Sequence, residues 1–172
     1  MNLQNRGRAG APLYFGKYPG KVVSNQDDEK RGRLFVSFTI GNTELTDWAL
    51  PAMPYAGPDV GFFALPPAEA NVWVEFAAGD SSQPIWTGCF WNKGDLPKAD
   101  AVPELIFLKT PGGTIRLHDN DGITIERGDI KITLTDSEIT IAAPQVTSDA
   151  NGSKVALSAS GYDVLQGAMK VV

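Results

Sequence analysis

Hydrophobic and polar residues alternate along much of this chain. Ile130, Ile132 and Leu134 are interleaved with Lys131, Thr133 and Thr135, and Ile139 and Ile141 resume the pattern after Asp136-Ser137. Such alternation predicts strands with one apolar and one wet face. The same texture runs from about Leu105 to Leu157: Ile115/Leu117, Ile123/Ile125, Ile130/Ile132, Ile139/Ile141, then Val146 and Val155/Leu157, with starting points about eight residues apart. Asp121-Gly122, Gly128-Asp129, Asp136-Ser137 and Asn151-Gly152 supply the intervening turns. No amphipathic helix follows to cover the aliphatic side chains.

The first half alternates too, with larger residues. YPGKVVSN and GRLFVSFTI read as strands around the charged loop NQDDEKRG, the second placing Leu34, Val36, Phe38 and Ile40 on one face. NVWVEFAAGD sets Val72, Val74 and Phe76 against Trp73 and Glu75, and SQPIWTGCFW is a last apolar strand. Between them, DWALPAMPYAGPDVGFFALP is broken by Pro51, Pro54 and Pro58 and is expected to be irregular or edge strand. About five strands in roughly 80 residues predict a small closed or nearly closed barrel over residues 12–92. Residues 93–104, with Pro97 and Pro103, read as a linker, residues 1–11, with Arg6 and Arg8, as a flexible arm, and 105–172 as the repeat.

The repeat poses a burial problem. A fully buried Val, Leu or Ile yields roughly 1.5–3 kcal/mol, and ordering each residue costs about 1–2 kcal/mol of backbone entropy. Short strands of one chain form a thin, one-sided sheet with bare edges, which is unstable alone. A symmetric oligomer needs only one apolar face per chain, so the pattern implies further copies.

Composition narrows the class. The 172-residue chain is 42% hydrophobic and 20% charged, with Gly 18 and Pro 12, which suits a turn-rich all-β protein. A net charge of -5 argues against a nucleic-acid partner. The single cysteine, Cys89, permits no internal disulfide, and its apolar setting predicts a buried, inert thiol. The N-terminus has no signal-peptide core and no stretch reaches the roughly 20 apolar residues of a membrane span, so synthesis in the cytoplasm is expected.

The barrel segment resembles a known family. Gly32-Arg33 opening a strand, Trp48-Ala49, Pro54-Tyr55-Ala56-Gly57, Gly61, Leu65-Pro66, Val72 through Phe76, Gly79-Asp80 and Pro84 to Gly88 occur in the order found in the OB-fold domain of contractile-tail spikes, the phage baseplate assembly protein V and hub-spike family related to VgrG. The strand repeat resembles the intertwined triple-stranded β-helix that this family places after its OB domain. The resemblance implies a homotrimer: an OB collar below a trimeric baseplate hub, and a needle with strands alternating between chains. Its core would be Ile115, Leu117, Ile123, Ile125, Ile130, Ile132, Leu134, Ile139, Ile141, Val155 and Leu157. Roughly seven strands per chain at about 4.8 Å spacing give a needle of about 30–35 Å. The function implied is a structural spike, in a phage tail or phage-tail-like particle, that transmits contraction force to the target cell envelope.

Residue chemistry agrees with a protein that is not an enzyme and uses no cofactor. The linker leaves no room for the lysozyme domain of some phage relatives. Short relatives end in a His-x-His motif that binds iron, whereas the single histidine here, His118, lies far from the C-terminus, out of phase with Ile115/Leu117, and is expected to face solvent. The apolar C-terminus (Val164, Leu165, Met169, Val171 and Val172) is expected to plug the needle or form a platform for a PAAR-type tip protein. Two rivals remain. Trp73, Trp86, Trp91 and Phe35 could stack bases or sugars in an OB-fold binding module for single-stranded nucleic acid or oligosaccharide. Glu69, Glu75 and Asp80 could serve a glycosidase, although surface charge around a barrel explains them.

Overall fold

The computed structural model describes residues 12–159, 161–164 and 169–171. The expected arm at 1–11, and Leu165 and Val172 of the expected tip surface, lie outside the described residues. The chain divides into two compact units, Met1–Leu96 and Pro97–Val172.

The first unit is a closed five-stranded barrel. β1 (Tyr18–Ser24), β2 (Leu34–Ile40), β3 (Thr43–Pro51), β6 (Asn71–Phe76) and β7 (Pro84–Phe90) close in the order β1-β2-β3-β7-β6, and β6 pairs back onto β1. Between β3 and β6, the two-residue strands β4 (Ala56–Gly57) and β5 (Val60–Gly61) form a separate small hairpin. Alternation sets the core: Val22, Leu34, Val36, Val72 and Val74 are wholly buried, joined by Phe38, Phe76, Ala49 and Trp86. Gly20 lies where β1 runs between β2 and β6. A Cβ there would stand 2.9 Å from Val74 Cγ2 and 3.0 Å from the Ser37 carbonyl oxygen, so only glycine fits.

Two expectations need correction. Asp47–Pro51 is neither irregular nor an edge strand; it is the second half of β3, which lies between β2 and β7 in the barrel, and Leu50 and Pro51 pair in parallel with Ile85 and Trp86. The proline sits at the strand's end, where its missing donor costs little, and the next residue resumes bonding through Ala52 N–H to the Trp86 carbonyl (2.9 Å). Cys89 is exposed rather than buried. β7 holds one more residue than β6 between the pairs Val72–Cys89 and Val74–Trp86. Gly88 (φ 147°) lies within this bulge, and Cys89 follows it near the strand's end.

The second unit is built of antiparallel meanders. β8 (Leu105–Thr110), β9 (Gly113–His118), β10 (Gly122–Arg127), β11 (Ile130–Leu134) and β12 (Ile139–Ala142) pair in chain order as one sheet. β13 (Gln145–Ala150), β14 (Ser153–Ser158), β15 (Gly161–Val164) and β16 (Met169–Val171) form another. Gly122, at φ 79°, has no room for a Cβ, which would collide with the Leu134 carbonyl oxygen. Strands here pair with their own neighbours in the chain, whereas the family resemblance implies strands alternating between chains.

Candidate functional site

Register turns the alternation of the repeat into two aliphatic ladders. Leu108, Ile115, Ile125, Ile132 and Ile141 are successive cross-strand partners from β8 to β12. Ile106, Leu117, Ile123, Leu134 and Ile139 form the second row beside them. Both rows lie on one face, because residues two apart in a strand share a face, and Ile130 extends that face at the start of β11. The nine residues expected from Ile115 to Ile141 are therefore brought together. Two were missed, Ile106 and Leu108. They stand in the continuous run LIFL, where Leu105 and Phe107 occupy the opposite face and hide the alternation.

This face is bare. Ile115, Leu117, Ile123 and Ile125 are 37–44% exposed, and Ile106 and Ile139 reach 71% and 70%. Ile132 and Leu134 are half-buried. An aliphatic surface of this size and order on a monomer marks an interaction site.

The opposite face is polar apart from Leu105 and Phe107 in β8. Phe107, Arg116, Thr124, Thr133 and Thr140 form one of its rows, and Lys131 Nζ meets Glu126 Oε1 at 2.9 Å. Asp100 binds Arg116 Nη1 at 2.8 Å and Lys109 Nζ at 3.8 Å, tying the segment before β8 to this sheet. The Arg116 hydrogen bond holds the Asp100 carboxyl below the usual carboxylate range. His118 also lies on this side, as its phase requires, but it is mostly covered rather than solvent-facing. Its Nδ1 accepts the Asn120 N–H (3.3 Å) and lies 3.3 Å from Asp121 Oδ2, in the β9–β10 turn.

The second sheet repeats the pattern with smaller residues. Val146, Leu157 and Tyr162 are cross-strand partners, with Val171 next in register; Ser148, Val155, Val164 and Met169 form the parallel row. Leu157, Tyr162 and Met169 are exposed, while Val155 and Val164 are half-buried.

Barrel aromatics and carboxylates are mostly committed elsewhere. Trp86 is a core residue, 5% exposed, and its indole N–H donates to the Gly32 carbonyl at 3.2 Å, so it is no stacking platform. Trp73 packs on Phe90 with ring centroids 4.5 Å apart. Phe35 packs on Trp48 at 5.4 Å, and the Arg33 guanidinium lies 5.0 Å from the Trp48 centroid. Trp91 is exposed. Glu75 pairs with Lys17 (2.8 Å) and Glu69 with Lys21 (3.1 Å), while Asp80 accepts bonds from Ser82 and Gln83 in its own turn. Each carboxylate has a separate local role.

The charged loop between β1 and β2 is closed by Asp27, the one buried charged residue among the described residues. Its carboxylate accepts Nε and Nη2 of Arg33 (3.0 and 2.7 Å) and the backbone N–H groups of Glu29, Arg31 and Arg33. The Arg33 hydrogen bond first, then the backbone donors, hold its pKa well below the usual range against the opposing effect of burial.

Comparison with known proteins agrees with this geometry. Residues 18–91, from β1 to just beyond β7, match the family model described as the type VI secretion system/phage-baseplate injector OB domain. The actin cross-linking toxin VgrG1 of Vibrio cholerae serotype O1 is 30% identical over 95 residues, a match covering 50% of this chain and 9% of that protein.

Proposed function

We propose that this chain, whose residues 18–91 match the model of the type VI secretion/phage-baseplate injector OB domain, is a non-enzymatic structural protein of the central spike of a contractile injection machine. The observation that carries this reading is the succession of an injector-type barrel and a strand repeat with two exposed five-rung aliphatic ladders. Three copies turn these faces toward one axis. Ile115, Leu117, Ile123, Ile125, Ile130, Ile132, Leu134, Ile139 and Ile141 then form a dry core together with Ile106 and Leu108, and Val155 and Leu157 extend it through the second sheet. Each side chain so buried contributes roughly 1.5–3 kcal/mol, which supplies what the single sheet lacks. The Thr and Lys-Glu face stays in water.

In this reading the barrels form a collar below a trimeric baseplate hub, in a phage tail or phage-tail-like particle. The repeat forms a short needle that passes contraction force to the target cell envelope. Val164 and Met169, with Val171 in register, offer an apolar seat for a PAAR-type tip protein. The binding-module alternative loses ground because Trp86 is core and Trp73 and Phe35 are already stacked on other rings.

Native mass tests the proposal. Light scattering of the full chain should give three times its 18.4-kDa mass; a monomer at micromolar concentration overturns it.

A further inference from the structure

The two meanders of the repeat meet at an unusual junction. β12 ends at Ala142 and β13 begins at Gln145, so only Ala143 and Pro144 separate them. Among the described residues, β12 pairs with β11 alone and β13 with β14 alone. Every other consecutive pair from β8 to β16 folds back and pairs.

Chemistry explains the exception. Gly128-Asp129 and Asn151-Gly152 close two-residue hairpins with glycine or asparagine at positive φ (57° at Gly128, 51° at Asn151, 91° at Gly152). Pro111-Gly112 also closes a hairpin, with proline at the first turn position, which its fixed φ suits. Pro144 stands at the second position, where its ring drives Ala143 out of the helical region that a tight turn needs. The chain therefore bends at 143–144 without folding back into a hairpin, and leaves both flanking strands with an open edge.

Those edges carry little protection. β12, Ile-Thr-Ile-Ala, has no charge, no proline and four exposed residues, the profile of an edge that pairs with another chain. β13 is of comparable length and exposed at five of its six positions.

We infer that β12 of one copy pairs with β13 of the next copy around the ring, and that strands pass between chains at this one point in the described repeat. This rests on the trimer reading above and sharpens it. In a cyclic assembly every β12 circulates in the same sense. A strand that continues forward around a corner keeps that sense, so β13 runs parallel to the neighbouring β12. The register we assign, one of those the apolar phase allows, puts Ile139 beside Val146 and Thr140 beside Thr147, and the ladders continue from the first sheet of one chain into the second sheet of its neighbour. Both open edges are then satisfied at once in every copy.

The full-length C89S/T140C/T147C protein tests this directly. After mild oxidation, the expected result on a denaturing, non-reducing gel is a ladder of covalent dimer and trimer. If the protein is trimeric by light scattering but its thiols oxidise within single chains, or stay free, the edge pairing is overturned while the trimer stands. If it is monomeric, the trimer reading falls and this inference with it. Adding A143N/P144G restores hairpin chemistry and brings positions 140 and 147 opposite each other within one chain. The disulfide should then move to the monomer band, and an unchanged ladder counts against the proposal. Hydrogen exchange on the unaltered protein gives a readout that needs no variant. Residues 139–142 and 145–150 should be protected as well as β10 and β11, and fast exchange at both edges overturns the pairing.

Discussion

β2 of the barrel and β10 of the repeat carry the same alternation to opposite ends. Leu34 and Val36 are wholly buried and Phe38 is 2% exposed, whereas Ile123 and Ile125 remain 37% and 41% exposed. Five strands in the barrel curl until the last pairs with the first, so each inward side chain meets another across a closed interior. Five strands in the repeat are joined by links of two to four residues into an open meander, and most of its apolar face stays exposed among the described residues. Period-two patterning states that one face wants burial. Closure decides whether the chain can bury it unaided.

Substitutions can break this contrast from either side. The largest effect is expected from Ile132→Asp, which in the proposed trimer would bring three carboxylates close together in a dry core, where each is costly to desolvate. The trimer should dissociate while the barrel keeps its near-UV circular dichroism; a mutant still trimeric by light scattering would place Ile132 outside the interface. Next is Leu34→Ala in the barrel. It should cost about 2–5 kcal/mol of barrel stability, seen as an earlier melting transition, and leave the native mass unchanged. A coupled loss of the oligomer would show that the two units do not behave independently.

The subtlest readout is the acid response of Asp27→Asn, which loses the buried ion pair to Arg33 at neutral pH and with it part of the pH dependence. The folded Asp27 carboxyl is depressed, mainly by Arg33, so the unfolded chain binds the proton more readily. The stabilisation is complete above the ordinary carboxylate value of about 3.9 and is lost as pH falls below it toward the folded value. Barrel melting temperature measured from pH 6 to pH 2.5 should fall less steeply in Asp27→Asn than in the unaltered protein. Some slope should persist, because the carboxyl of Asp80 in the barrel is also held low. Parallel slopes would remove Asp27 from the acid response.

Much of this was legible in the amino-acid order because alternation was clean. Leu34, Val36 and Phe38 on one side of β2, and Val72, Val74 and Phe76 on one side of β6, are where the pattern put them. So is the common face of Ile115 through Ile141. Legibility failed where one signal overrode another. Prolines at 51, 54 and 58 hid the second half of β3, although Pro51 only ends it. Apolar residues on both faces of β8 hid Ile106 and Leu108. Cys89 sits in apolar surroundings by sequence, but it lies beyond an extra residue in β7 that only the pairing with β6 reveals. The Asp27 lock gave no warning either, since in NQDDEKRG nothing distinguishes Asp27 from Asp28 until the chain turns back on itself.

The meander has a mechanical consequence. Its hydrogen bonds run across the strands, from one rung to the next, with about 4.8 Å between rungs. Pulled in that direction, such a sheet opens like a zipper, a few bonds at a time from the edge. Pushed in the same direction, each rung bears on the one beneath, and rupture at the edge brings no relief. A body built this way is strong as a strut and weak as a rope.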